Sequence, residues 1–121
     1  EKGSEVGAHI LSGAVLDPVG LTALIPDWAA RGAPVSVPVT EDNLYILGPA
    51  GRIRIPNAVM PPLMSNHGNY IVSMGNVCRW LAGQAEALGV EIFPGMSCSE
   101  IVWGEDGTVR GVVAGEFGRG E

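Results

Sequence analysis

Ser73-Met74-Gly75-Asn76-Val77-Cys78-Arg79-Trp80-Leu81-Ala82-Gly83-Gln84-Ala85-Glu86-Ala87-Leu88-Gly89-Val90-Glu91-Ile92-Phe93 changes its periodicity part-way along. Val77, Leu81, Ala85 and Leu88 recur at helical spacing, which predicts an amphipathic helix from about Met74 to Leu88. Ser73 offers a side-chain oxygen at the capping position, and Gly89 is the residue type that ends a helix. Val90 to Phe93 then reads as a short strand. After a Pro94-Gly95 turn, Cys98 to Trp103 is placed to pair with Thr108 to Ala114 across Gly104-Glu105-Asp106-Gly107. Helix, strand and hairpin in that order predict an α/β class, here as an α+β piece.

Upstream, Gly7 to Val19 is too rich in small residues for a stable helix and reads as a buried or ligand-facing loop. Asp17-Pro18 opens a short helix as N-cap and first helical residue, with Leu21, Leu24, Ile25 and Trp28 on one face and Pro26 straining it. By periodicity that face is an ordinary core stripe. Leu44 to Leu47 and Arg52 to Ile55 flank Gly48-Pro49-Ala50-Gly51 as a hairpin, and Pro56, Pro61 and Pro62 hold the next stretch in irregular structure.

The 121 residues are one domain's worth of chain, 46% apolar and 17% charged, so intrinsic disorder is excluded. With 18 glycines and 9 prolines the backbone turns too often for a helical bundle. Net charge is −6 and lysines and arginines form no cluster, which argues against nucleic acid as a partner. Cys78 and Cys98 fit neither a zinc site nor a disulfide framework, so a reducing compartment is expected. Two cysteines are also too few for a four-thiolate iron–sulfur cluster. No apolar run is long enough for a spanning helix, and the acidic start is unlike a signal or transit peptide. No nucleophile, dyad or triad stands out, so no catalytic residue and no metal ligand is assigned. Lone His67 reads as loop bracing, Cys78 as a small hydrophobe, and Asp106-Gly107 as a turn.

Several stretches taken together carry a resemblance. They are Glu1-Lys2, Gly7-Ala8-His9-Ile10-Leu11-Ser12-Gly13-Ala14, Leu16-Asp17-Pro18, Pro26-Asp27-Trp28, Gly32-Ala33-Pro34 and Pro38-Val39-Thr40-Glu41-Asp42, joined by Asn66-His67-Gly68-Asn69-Tyr70, Gln84 to Glu91 and Asp106 to Val112. In order and over the whole chain they resemble the electron transfer flavoprotein-ubiquinone oxidoreductase family. The resemblance implies part of a glutathione-reductase-like, FAD-binding Rossmann fold with a β-hairpin insertion. Its first strand and glycine loop are absent from these residues, so the chain is expected to be an interior piece of a longer polypeptide, inactive by itself.

On that resemblance, residues 1–16 are the ribose- and flavin-side piece, 17–72 a membrane- and quinone-side insertion with the hairpin, and 73–121 the helix, strand and hairpin returning to the FAD domain. Glu1, with Lys2 beside it, takes the place of the acidic residue that meets the adenosine ribose. Gly7, His9, Ser12 and Gly13 lie on the flavin side, with no chemical step assigned to His9, and Ser97 and Cys98 supply cofactor contacts near the adenine. Leu21, Leu24, Ile25 and Trp28 become membrane contacts. Family members often carry arginine where Ser73 stands, so no charged contact carries over to that helix start.

The implied cofactors are FAD and, from ligands outside this chain, a 4Fe-4S cluster. The implied partners are electron transfer flavoprotein, ubiquinone and a membrane surface. The implied place is the reducing side of a bacterial cytoplasmic or mitochondrial inner membrane. Two alternatives stand beside it. A flavin dehydrogenase of the FixC or geranylgeranyl reductase type should lack the Pro-Val-Thr-Glu-Asp and His-Gly-Asn-Tyr blocks. A non-enzymatic α/β binding module should fold cooperatively without flavin.

Overall fold

The computed structural model describes residues 1–10 and 12–115. Leu11 and the glycine-rich stretch 116–121 lie outside them. The chain divides into two compact units, Ser12–Ser73 and the described residues of Glu1–Leu11 with Met74–Glu121.

The first unit holds β1 (Ala14–Leu16), α1 (Val19–Leu24), β2 (Val37–Pro38), β3 (Leu44–Gly48), β4 (Gly51–Ile55) and β5 (Tyr70–Val72). β5 is the centre of a small antiparallel sheet, with β1 on one side and β2 on the other. Leu21, Val35 and Val72 are the buried apolar residues of this unit. Asp17 does not cap α1. The helix starts one residue later than the sequence suggests, with Pro18 at the N-cap, and the Asp17 carboxylate instead accepts the Val19 amide at 2.9 Å. Nor does α1 reach Trp28. Pro26 excludes helical backbone from the residue before it, and Ile25 accordingly takes φ −134° and ψ 84°. Trp28 sits in the following turn, where its ring nitrogen donates to Thr22 Oγ1 at 3.0 Å and its ring meets Tyr70 edge-on with centroids 5.8 Å apart. The β3–β4 hairpin matches expectation, Gly48 facing Gly51 across Pro49-Ala50. Single 3-10 turns at Asn57–Val59 and Pro62–Met64 occupy the proline-rich stretch.

The second unit holds α2 (Met74–Ala87), β6 (Cys98–Trp103) and β7 (Val109–Ala114). Val77 is buried, while Trp80, Leu81 and Ala85 are half-buried along the expected stripe. Leu88 is not part of it, being 86% exposed. The helix closes before it, with Gly89 at φ +88° and the Val90 amide donating back to the Ala85 carbonyl at 3.1 Å. Val90 to Phe93 is not a strand. A strand needs a ladder, and this segment's bonds are isolated ones: Glu1 N donates to the Phe93 carbonyl, Gly95 N to Gly3 O at 2.7 Å, and Met96 N to Glu1 O at 3.0 Å.

β6 and β7 pair antiparallel with two register irregularities. Their turn is set by Asp106, whose carboxylate accepts the Thr108 amide at 3.1 Å and hydroxyl at 2.7 Å, and by Gly107 at φ +76°. These bonds hold the Asp106 carboxyl below the usual carboxylate value, and the Arg31 guanidinium does the same for Asp27. A carboxyl whose folded pKa is depressed contributes stability above its unfolded pKa, and that contribution is lost as pH falls through the folded one. Thr108→Val should therefore move the Asp106 titration upward in an NMR pH series. An unmoved titration would contradict the assignment of this shift to Thr108.

All pairings among the described residues are antiparallel, and the class is α+β.

Candidate functional site

Residues 1–3 lie along the loop that leads into β6, held there by the Gly95 and Met96 amides. A Cβ at Gly3 would be tightly placed, 3.0 Å from Glu5 O and 3.1 Å from Glu1 Oε1. The Glu1 carboxylate folds back over this turn and accepts the Gly3 amide at 2.7 Å, which fixes its direction. Beside it opens a hollow of about 290 Å³, lined by Glu1, Phe93, Met96, Ser97, Cys98 and Val112 among others. Phe93 is 58% and Val112 62% exposed, so apolar surface faces an open mouth, and two carboxylates, Glu1 and Glu91, belong to its lining.

This donor set suits a nucleoside. A flat heteroaromatic ring gains from apolar contact, and an ionised carboxylate has room for about four hydrogen bonds, so the Gly3 amide leaves capacity for a ribose diol.

Three of the residues singled out in the sequence, Glu1, Ser97 and Cys98, thus line one hollow. Cys98 is exposed, with its thiol directed at the Glu100 carbonyl at 3.4 Å. Ser97 is fixed by its carbonyl, which accepts the Gly115 amide at 2.6 Å, and a side chain at Gly115 would collide with Ser97 Oγ. Lys2 is exposed. His9 is exposed as well, its Nδ1 3.6 Å from where a Gly3 Cβ would stand. Gly7 has a packing role within its own unit. It takes φ +80°, and a Cβ on it would lie 2.8 Å from Gly75 O at the start of α2. Ser12 and Gly13 belong to the other unit, where both are exposed and nothing stands within 4 Å of a Cβ at Gly13. On α1, Leu21 is buried at 8% exposure and Leu24 is 73% exposed, while Ile25 and Trp28 are half-buried.

The sequence reading missed Phe93, Met96, Val112 and Ala114 as walls of the hollow. The alternation of Val112 with Ala114 was a visible signal, since residues two apart on a strand share a face. The approach of the loop at 93–96 to residues 1–3 had no local signal. Among the described residues no three of His, Cys, Asp and Glu gather in a metal-holding group, and no helix is long and apolar enough to cross a membrane.

No family model matches the chain. Curated relatives do, and the electron transfer flavoprotein-ubiquinone oxidoreductase of Pseudomonas aeruginosa is 56% identical over 119 residues, 98% of this chain and 22% of that protein. The chain belongs to this family. The mitochondrial electron transfer flavoprotein-ubiquinone oxidoreductase of Dictyostelium discoideum is 51% identical over 118 residues, again 98% of this chain but 19% of the relative. Its human counterpart, also named as mitochondrial, is 48% identical over 119 residues with the same shares. The chain therefore spans about a fifth of the length of the curated relatives it matches. Identity near one half extends over 98% of the chain in each of these relatives.

Proposed function

We propose that these residues work as part of an FAD-dependent oxidoreductase that passes electrons from reduced electron transfer flavoprotein to ubiquinone at a membrane surface. The observation that carries this is 56% identity over 98% of the chain to a relative bearing that name. In this reading the segment contributes to a glutathione-reductase-like FAD fold, and the fixed carboxylate beside an apolar hollow supports Glu1 as the ribose acceptor. Phe93, Met96 and Val112 keep water from one side of the adenine, while Ser97 and Cys98 offer polar contacts at its edge. Ser12 and Gly13 are exposed, and the open space at Gly13 suits close approach of a flat ring. Lys2, Gly7 and His9 complete the set of cofactor-side residues, Gly7 by holding the loop against α2.

Bound FAD supplies the electron transfer itself, and what this chain adds is placement. A 4Fe-4S cluster in the same enzyme takes its thiolates from outside these residues. Leu24, with Leu21, Ile25 and Trp28 behind it, forms the apolar contact of α1 with the lipid interface on the inner membrane, bacterial or mitochondrial.

An immunoblot of membrane and soluble fractions with an antibody against residues 41–56 tests the reading. The expected result is a membrane-fraction band several times heavier than the 12.6 kDa of this segment. A soluble band at that mass would instead mark a self-contained module and end the assignment.

A further inference from the structure

β5 is the central strand of its sheet, yet its ladders are short. It pairs along Ala14–Leu16 on one side and along Val37–Pro38 on the other. Side chains on a strand alternate with period two, so a slip of two residues keeps every face as it is, and ladders of this length specify register weakly. The register of β5 has to be fixed from outside the ladder.

A carboxylate is placed to do this. Asp42 lies between β2 and β3, outside either strand, and is half-buried. Its Oδ2 accepts the Asn66 amide at 3.1 Å and Asn66 Nδ2 at 3.0 Å, while its carbonyl accepts Asn57 Nδ2 at 2.8 Å. Hydrogen bonds to an ionised oxygen are among the stronger ones, and two of these converge on a single atom. Asn66 opens the turn that leads into β5. Its carbonyl accepts the Asn69 amide at 3.0 Å, and Gly68 takes φ +88°, the left-handed value that such a turn needs at its third residue. The Asn69 carbonyl then accepts the Val39 amide at 2.9 Å, directly beside the pairing of Pro38 with Tyr70. Residues 38–42 and 66–70 are thus tied together at both ends.

Tyr70, the first residue of β5, carries the consequence. Its ring meets Trp28 edge-on at 5.8 Å, and Trp28 donates to Thr22 Oγ1 of α1 at 3.0 Å. A slip of two residues along β5 would displace Tyr70 by about 7 Å and break that contact.

We propose that Asp42 is a positioning residue that locks the register of β5 and, acting through the Asn66 turn, sets Tyr70 against Trp28 in the turn after α1. Registry is the best-attested use of a charged or polar group withdrawn from water. The consequence for lipid contact rests on the reading of Trp28 above, whereas the coupling of Asp42 to Trp28 is measured without lipid.

The test is the indole N–H resonance of Trp28 in the 15N-labelled 121-residue chain, assigned by its loss in Trp28→Phe. Tyr70→Leu gives the position of that resonance without the facing ring. Asp42→Ala is expected to move it most of the way to the Tyr70→Leu position. Asp42→Asn, which keeps an acceptor oxygen for the two Asn66 donors, is expected to hold it near the parent position. Asn66→Ala leaves the Asp42 side chain only the backbone amide, so a smaller move in the same direction is expected, and it serves if Asp42→Ala does not fold. A variant folded by circular dichroism, Asp42→Ala or Asn66→Ala, whose Trp28 resonance stays with the parent overturns the proposal. An Asp42→Asn chain that moves as far as Asp42→Ala overturns it too, because the acceptor would then not be what holds the turn. The membrane reading fails separately, on the immunoblot described above.

Discussion

Alanine at Gly7 will lower the unfolding free energy of the chain by about 3 kcal/mol, read as an earlier midpoint in urea. Two costs combine. Gly7 holds φ +80°, a conformation that penalises any L side chain by about 1–2 kcal/mol. Its Cβ would also come within 2.8 Å of Gly75 O and 3.0 Å of Gly75 Cα. Those atoms belong to the first turn of α2, which cannot yield as a flexible side chain would, and overpacking of this kind costs about 1–3 kcal/mol. Gly13→Ala is the control, since nothing stands within 4 Å of a Cβ there. A Gly7→Ala chain that unfolds with the parent would show that the loop does not sit against α2 in this way.

The second large effect concerns Glu1. Grafting these residues in place of the matching fifth of the Pseudomonas aeruginosa relative gives a chimera in which flavin retention can be measured. Within it, Glu1→Ala should reduce the retained flavin affinity by roughly tenfold to a hundredfold, the loss expected from hydrogen bonds to a charged acceptor worth about 1.5–3 kcal/mol. Glu1→Gln, which keeps one acceptor oxygen and loses the charge, should fall between. Loss of the carboxylate also releases the Gly3 amide bond, so the comparison is made on chimeras of equal thermal stability. Retention of flavin by Glu1→Ala at the parent level would place the ribose elsewhere.

Both hairpins and α2 were legible in the sequence because their signals are local. Gly48 to Gly51 and Asp106-Gly107 are turn chemistry, and Val77, Leu81 and Ala85 are a helical stripe. Failures came where a partner distant in sequence decides. Val90 to Phe93 has strand composition, but the structure gives it only scattered bonds to residues 1–3. β1 and β5 went unread because a three-residue strand carries too little pattern, and they exist through pairing across some 55 residues. For the site, Glu1, Ser97 and Cys98 came from resemblance and the fold brings them to one hollow. Gly7 shows the limit of reading glycines. Its smallness suits a ligand and suits a helix equally, and only the distance to Gly75 distinguishes them.

The most direct measurement is the flavin content of the intact chimera, taken from its visible absorbance and total protein after desalting. One FAD per polypeptide is the predicted result, with electrons still passing from reduced electron transfer flavoprotein to a ubiquinone analogue. A folded, monodisperse chimera that carries no flavin would contradict it, because these residues would then fail in the place their identity to the relative assigns them.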